Sequence, residues 1–136
     1  RGVKEAGLEL ELSVRRIGPY LPTLRGGRLA GETWLKRRSS AVITYNDLMA
    51  LGFCQQLAEA GVRIPEQVSV VGFDNIVDTT LVEPQLTTIA APQVSIGSTA
   101  INHLIGRRRP AAADQREALR LPARLVIRGS TGRAPR

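Results

Sequence analysis

Two apolar stretches of the chain each end in polar residues that could bind a ligand. Asp74 follows the stretch at residues 68–73, and Asn46 follows the stretch at residues 41–45. Short apolar runs bounded by turn residues are typical of strands buried in a parallel sheet, and ligands bind at the carboxyl ends of such strands. We therefore predict a small-molecule site at which the side chains of Asp74 and Asn46 converge.

Helix capping is an equally simple role for the first of these positions. Asn and Asp side chains accept hydrogen bonds from the free amides at a helix start, so Asn46 or Asp47 could serve only as an N-cap. Asp47 and Asp74 could also be imagined as a general acid/base pair, but no nucleophile accompanies them. A capping acid and a ligand-binding acid are the favoured roles.

Motifs of catalysis and metal binding are absent from the sequence. It contains no glycine-rich phosphate loop, no Gly-x-Ser-x-Gly turn and no His-Glu-x-x-His pair. His103 is the only histidine and Cys54 the only cysteine, which excludes a multi-histidine metal site and a disulfide framework. We expect no catalytic residue, no metal and no cofactor, and the sequence argues against an enzyme.

The elements that must position these residues alternate between strand and helix. The patterns predict a helix ending at Gly7, strands at 8–12 and 13–17, a break at Gly18-Pro19, helices at 25–37 and 47–60, and strands at 41–44 and 68–71, the last closed by Gly72. Further on they predict an amphipathic helix at 93–105, a charged loop at 106–120, a last strand at 121–128 and a frayed tail at 129–136. This order predicts an α/β fold with a parallel sheet flanked by helices.

The predicted helix at 47–60 is apolar on all sides over its first two turns. Residues 48–54 contain only apolar side chains and the thiol of Cys54. An ordinary surface helix has a polar face opposite its apolar stripe. Because the domain core can cover only one side, we expect a partner subunit to cover the other.

The net charge of +7 is concentrated at the carboxyl end of the chain. Residues 1–105 carry ten basic and ten acidic side chains, whereas residues 106–136 carry nine arginines against two acids. The arginine run at 107–109 is most simply a solvated loop, because a DNA-binding patch would also need a recognition helix or an aromatic platform. No apolar run approaches the roughly 18 residues of a membrane span, and the start shows no signal peptide.

Five strings of the sequence together resemble the lactose-repressor-like, or LacI-type, family of bacterial transcription regulators. They are Ala-Val-Ile-Thr-Tyr-Asn-Asp-Leu-Met-Ala-Leu-Gly at 41–52, Gly-Val-Arg-Ile-Pro at 61–65, Val-Ser-Val-Val-Gly-Phe-Asp at 68–74, Pro-Gln-Leu-Thr-Thr-Ile at 84–89 and Leu-Val-Ile-Arg-Gly-Ser at 125–130. The strings keep the order and spacing of the family over most of the chain. The resemblance implies a type I periplasmic-binding-protein-like fold, here as an incomplete fragment.

The family also implies a division of the chain. Residues 1–92 would form the carboxyl-terminal sensor subdomain, truncated at its start, and residues 93–120 a return helix and loop of the other subdomain. Residues 121–128 would be a final strand returning to the first body, and 129–136 a tail. The family places a helix-turn-helix headpiece and another sensor subdomain before Arg1, so we expect operator DNA to be bound only through that headpiece.

Site residues follow from the same resemblance. It implies that Asp74 and Asn46 contact a small-molecule effector, that Tyr20 stacks on its ring, and that a sugar or nucleobase-like molecule is the effector. Ala91 stands where some members carry a polar contact. The resemblance further implies a cytoplasmic homodimer, joined through Leu51, Leu81 and Val82, with no role at a membrane.

Two other functions fit the predicted sheet. A periplasmic sugar-binding protein of a transporter shares this fold, and a signal peptide upstream would favour it. An α/β enzyme is a less favoured reading, which any turnover or bound cofactor would support. The Pro-x-Leu-Thr-Thr and Arg-Gly-Ser-Thr strings favour the regulator.

Overall fold

The computed structural model of the protein describes residues 2–106 and 120–134. In chain order the elements are α1 (Gly2–Glu9), α2 (Leu24–Lys36), β1 (Ala41–Ile43), α3 (Asp47–Glu59), β2 (Ser69–Phe73), a short 3-10 helix (Val77–Thr80), β3 (Thr87–Ala90), α4 (Gln93–Gly106) and β4 (Arg124–Val126).

The strands of the described chain form one sheet in the order β1, β2, β3, β4. β2 pairs with β1 and β3 in parallel, whereas β4 returns antiparallel to β3. The fold class predicted from the sequence is confirmed, and the antiparallel β4 makes the sheet a mixed one. Because β1, β2 and β3 run in the same direction, their carboxyl ends lie along one edge of the sheet.

The two helices beside this sheet begin and end where local sequence signals place them. Thr23 accepts a hydrogen bond from the amide of Gly26 over 3.1 Å, and Asn46 accepts one from the amide of Met49 over 2.9 Å. Such a cap stabilises a helix by about 1 kcal/mol. Gly61 follows α3 at a φ of +70°, the left-handed conformation that ends many helices. The predicted bounds of both helices hold to within one residue.

The hydrophobic core lies where α3 packs on α2 and on β2. Trp34 and Phe53 meet edge to face, with ring centroids 5.9 Å apart, and the indole nitrogen of Trp34 donates to the hydroxyl of Ser39 over 3.0 Å. The other buried apolar side chains are Ala50, Leu51, Leu57, Val62, Val68, Val70 and Leu86. This core fixes β1 and β2, and therefore the polar residues that follow them.

The chain between α1 and α2 differs from the sequence prediction. α1 continues past Gly7 to Glu9, and Glu11 at a φ of +55° lets the amide of Leu12 donate to the carbonyl of Gly7 over 2.8 Å. Residues 12–21 form neither helix nor strand, so the strands predicted at 8–12 and 13–17 are wrong. An alternating pattern makes a strand only where a neighbouring strand pairs with it, and Leu8, Leu10 and Leu12 are instead exposed.

Two further boundaries were predicted incorrectly. β2 continues through Gly72 to Phe73, and the last strand is shortened to β4. The tail is also not frayed over residues 129–132, because Ser130 is buried between the amino ends of β2 and β3. Its hydroxyl donates to the carbonyl of Val70 over 2.6 Å and accepts from the amide of Thr87 over 2.8 Å. The charged loop predicted at 106–120 lies outside the described residues, except for its two end positions.

Candidate functional site

The carboxyl edge of the sheet carries a tight turn at Asp74 and Asn75. Their φ angles are +110° and +57°, in a region that L-residues rarely occupy. The amide of Asp74 donates to the carbonyl of Ile89 over 2.9 Å, and the amide of Asn75 donates to the hydroxyl of Thr88 over 3.3 Å. The turn is therefore fixed to β3, and such strained backbone is common at ligand sites.

The carboxylate of Asp74 is an unused hydrogen-bond acceptor. It is half-buried, and it has no hydrogen-bond partner among the described residues. Burial and, secondarily, the nearby carboxylate of Asp47 raise the pKa of Asp74 above the ordinary aspartate value. The side chain lines a cavity of about 330 Å³ together with Ala91, Gln93 and Val94. An acceptor held at a concave surface in this way can bind hydroxyl or N–H donors of a ligand.

Asp47 lies beneath this turn and has a bracing role that the sequence did not indicate. The side chain is fully buried: one carboxylate oxygen accepts from the hydroxyl of Thr88 over 2.6 Å, and the other from the amide of Ile76 over 2.9 Å. Asn46, not Asp47, caps α3. The capping role that the sequence allows for Asp47 is wrong, because the carboxylate instead accepts hydrogen bonds from Thr88 and Ile76.

Asn46 lies at the carboxyl end of β1, as predicted, but both ends of its amide have partners within the protein. Its oxygen caps α3, and its nitrogen donates to the carbonyl of Pro22 over 3.3 Å. The capping role that the sequence left open is therefore present. Asn46 does not line the cavity that contains Asp74.

Tyr20 lies on a different part of the surface from Asp74. Its hydroxyl shares a 2.6 Å hydrogen bond with the hydroxyl of Thr33 on α2. The residue lines a cavity of about 400 Å³ that also includes Thr44, Tyr45 and Met49, between the 13–20 segment and β1. The described residues thus give Asp74 and Tyr20 separate cavities, and the contact roles of Asp74, Asn46 and Tyr20 stay predictions.

The residues predicted for a dimer interface differ sharply in exposure. Leu81 is 75% exposed, Val82 is half-buried against the core, and Leu51 is only 6% exposed and belongs to the core. Leu48, on the same helix as Leu51, is 38% exposed. Leu81 and Leu48 are therefore available to a partner in this structure, whereas Leu51 already packs inside its own chain.

Other kinds of site have little support in the described chain. No cluster of three or more His, Cys, Asp and Glu side chains within residues 2–106 and 120–134 could hold a metal ion. Burial raises the pKa of the Cys54 thiol to about 12, so this group is not a thiolate at neutral pH. None of the helices in these ranges is long and apolar enough to cross a membrane.

Comparison with known proteins relates the chain to one family. A model described as a periplasmic binding protein-like domain matches residues 1–131. The HTH-type transcriptional regulator MalR of Streptomyces coelicolor is 36% identical over 132 residues, which cover 96% of this chain and 38% of that protein. The chain thus spans well under half the length of this curated relative.

Two similar solved structures contain sugars. A LacI family transcriptional regulator from Enterococcus faecalis with bound ribose superposes with a TM-score of 0.83 at 36% identity, over 98% of this chain and 48% of that one. Another, from an Arthrobacter species in complex with lactose, gives a TM-score of 0.82 at 31% identity, over 96% of this chain and 49% of that one.

Proposed function

This chain belongs to the periplasmic binding protein-like domain family, in the form carried by LacI-type transcriptional regulators, and we propose that it is the effector-sensing part of such a regulator. The effector would be a small molecule rich in hydroxyl donors, such as a sugar. Operator DNA would be bound by a headpiece elsewhere in the natural protein.

The observation that carries the proposal is the unused acceptor at Asp74. The half-buried carboxylate has no hydrogen-bond partner among the described residues, so a ligand that donates hydroxyl groups could bind it in place of water. The turn that presents it is fixed by Ile89 and Thr88, so the backbone that carries the acceptor is preorganised. The ribose and lactose found in similar regulators support a sugar as the first ligand to test.

The mechanism that we propose has two states. An effector that binds one arrangement of the sensor subdomains more tightly shifts the population towards that arrangement. The affinity of the headpiece for DNA then changes by the coupling free energy, typically about 1–3 kcal/mol. The matched relatives named as transcriptional regulators favour this reading over a transporter's binding protein or an enzyme.

We expect Asp74→Ala in the natural full-length protein to abolish the response to effector. Losing a charged acceptor from a partly buried site costs about 2–4 kcal/mol, or roughly 30- to 1,000-fold in affinity. Isothermal titration calorimetry with ribose, lactose and a wider panel of sugars measures this loss. Asp78→Ala is the matched control, because Asp78 is an exposed aspartate in the next turn of the chain.

The pH dependence of sugar binding tests the role of the Asp74 carboxylate in a second way. Because the pKa of Asp74 is raised, the carboxylate takes up a proton at a higher pH than an ordinary aspartate does. Affinity for the sugar should therefore fall as the pH is lowered through this raised pKa, and the fall should be absent in Asp74→Asn. Unchanged titrations in Asp74→Ala would overturn the assignment of Asp74, and no binding of any sugar would overturn the ligand class.

A further inference from the structure

Arg128 follows β4 and forms hydrogen bonds to three points of one loop. One guanidinium nitrogen donates to the carbonyl of Leu86 over 2.8 Å and to the hydroxyl of Thr79 over 3.2 Å. The other donates to the side-chain oxygen of Asn75 over 2.7 Å. The guanidinium thus joins the first, middle and last parts of the loop that runs from β2 to β3.

This loop contains both the candidate ligand acid and the candidate interface residue. It begins with the strained turn of Asp74 and Asn75, and Leu81 lies near its middle. Backbone strain of this kind persists only where the surroundings fix it. On the inner side of the turn, Thr88 and Asp47 hold the amides of Asn75 and Ile76. On the outer side, Arg128 holds the side chain of Asn75.

Thr79 connects the arginine to the rest of the loop. It is fully buried, its hydroxyl donates to the carbonyl of Ile76 over 2.6 Å, and its carbonyl accepts from the amide of Leu86 over 2.9 Å. Arg128 donates to that same hydroxyl. A displacement of the segment that carries Arg128 would therefore break or move the hydrogen bonds that hold Asn75 and the rest of the loop.

We propose that Arg128 is a positioning residue for the ligand site: it holds Asn75, and through Asn75 it fixes the backbone that presents the carboxylate of Asp74. The inference rests on the proposed function of Asp74 as the effector's acceptor. Arg128 does not line the cavity that contains Asp74. It links the segment after β4 to the ligand turn and to the loop bearing Leu81, so that a change at one is transmitted to the others.

The test uses the planar guanidinium group of arginine, which donates hydrogen bonds from two nitrogens at once. Lysine keeps the positive charge but cannot donate along the two arms of a guanidinium. We expect Arg128→Lys to speed hydrogen exchange in peptides covering residues 74–86 by roughly tenfold, because the loop loses one charge-assisted hydrogen bond. Peptides covering α3 should exchange as in the natural protein. Arg124→Lys is the matched control, because Arg124 is an exposed arginine on β4, four residues before Arg128.

A double-mutant cycle shows whether Arg128 acts through Asn75. Asn75→Gly removes the acceptor while tolerating the φ of +57°. If the arginine acts through this side chain, Arg128→Lys adds little to Asn75→Gly, both in exchange of the 74–86 peptides and in affinity for ribose or lactose, whichever binds. The cycle is measured in the natural full-length protein.

Each outcome has a definite meaning. The positioning role would be overturned if hydrogen exchange at 74–86 were unchanged in Arg128→Lys, or if exchange in α3 were accelerated equally. It would also be overturned if the effects of Arg128→Lys and Asn75→Gly on exchange and on sugar affinity were fully additive in free energy in the double variant. If the natural protein binds neither sugar, the proposed ligand class fails, and the exchange data and their cycle still decide the role of Arg128. Faster exchange confined to 74–86, with non-additive losses, would support it.

Discussion

At the scale of single residues, Gly72 is explained by its neighbour Asp47. Glycine in a strand interior is usually destabilising, because it lacks a side chain to pack and loses more chain entropy on folding. Here an added Cβ would lie 2.0 Å from a carboxylate oxygen of Asp47 and 2.9 Å from a methyl group of Leu86. The absent side chain leaves the space in which the buried carboxylate reaches Thr88 and the turn at Asp74.

Substituting Gly72 should therefore displace Asp47 and so disturb the turn at Asp74. We expect Gly72→Ala to lower the free energy of unfolding by about 2–4 kcal/mol, because it overpacks the core and displaces Asp47 from its two donors. Gly97→Ala is the control: nothing lies within 4 Å of its added Cβ, and an alanine in the helix interior should stabilise α4 by up to about 1 kcal/mol. Denaturant midpoints followed by circular dichroism compare the two, and equal midpoints would refute the explanation.

At the scale of elements, glycines set the close crossing of α2 and α3. An added Cβ at Gly52 would lie 1.9 Å from the carbonyl oxygen of Leu24, and one at Gly27 would lie 2.1 Å from the carbonyl oxygen of Met49. Both clashes are with backbone, which cannot move aside as a flexible side chain can. At Gly31 the nearest atoms, at 2.9 Å, belong to the side chain of Gln56.

These contacts predict a graded series of stabilities. Gly52→Ala and Gly27→Ala should each destabilise the protein by several kcal/mol, since the helices must separate by more than an ångström to accept the methyl group. Gly31→Ala should cost less, about 1–3 kcal/mol, because its methyl group would meet Gln56 at 2.9 Å instead of backbone at about 2 Å, and a smaller displacement relieves that contact. Thermal melting of the three variants gives the order, and a melting temperature for Gly31→Ala as low as the other two would contradict it.

Some of the helices and strands could be predicted from the sequence, and others could not. α2 and α3 were predicted to within one residue, because N-caps, a terminal glycine and helical periodicity are all local signals. The strands predicted at 8–12 and 13–17 failed, because an alternating pattern does not reveal whether a neighbouring strand is present. Arg128 and Asp47 were not recognised at the site, because their partners lie 29–53 positions away in the sequence.

At the scale of the whole molecule, two of the exposed apolar surfaces among the described residues bear on the proposed assembly. Between Gln93 and Ile105 every residue except the half-buried Thr99 is exposed. The side chains that are more than half exposed include Val94, Ile101, Leu104 and Ile105. Exposure of this extent marks an association surface. It supports the proposed division in which the return helix packs on the other sensor subdomain. The second surface is the loop at Leu81.

The second surface should join two copies of the natural protein. An isologous contact needs the same apolar patch on both subunits, and the 75% exposed side chain of Leu81 is a position in this loop that a second copy could cover. Leu51→Glu would be a poor test, because Leu51 belongs to the core and its substitution would unfold the chain. Leu81→Glu instead changes a side chain that is 75% exposed, so the fold should tolerate it.

We expect the natural protein to sediment as a dimer and Leu81→Glu to sediment as a monomer at micromolar concentration. A carboxylate buried without a partner at such an interface costs several kcal/mol, enough to separate most dimers. Leu8→Glu is the control, because Leu8 is 81% exposed on α1 and lies outside the proposed interface. Far-UV circular dichroism spectra recorded below the melting transition should be similar for monomeric Leu81→Glu and the control, which would show that the monomer is folded. A dimer that survives Leu81→Glu would mean that the two copies meet through a surface other than this loop.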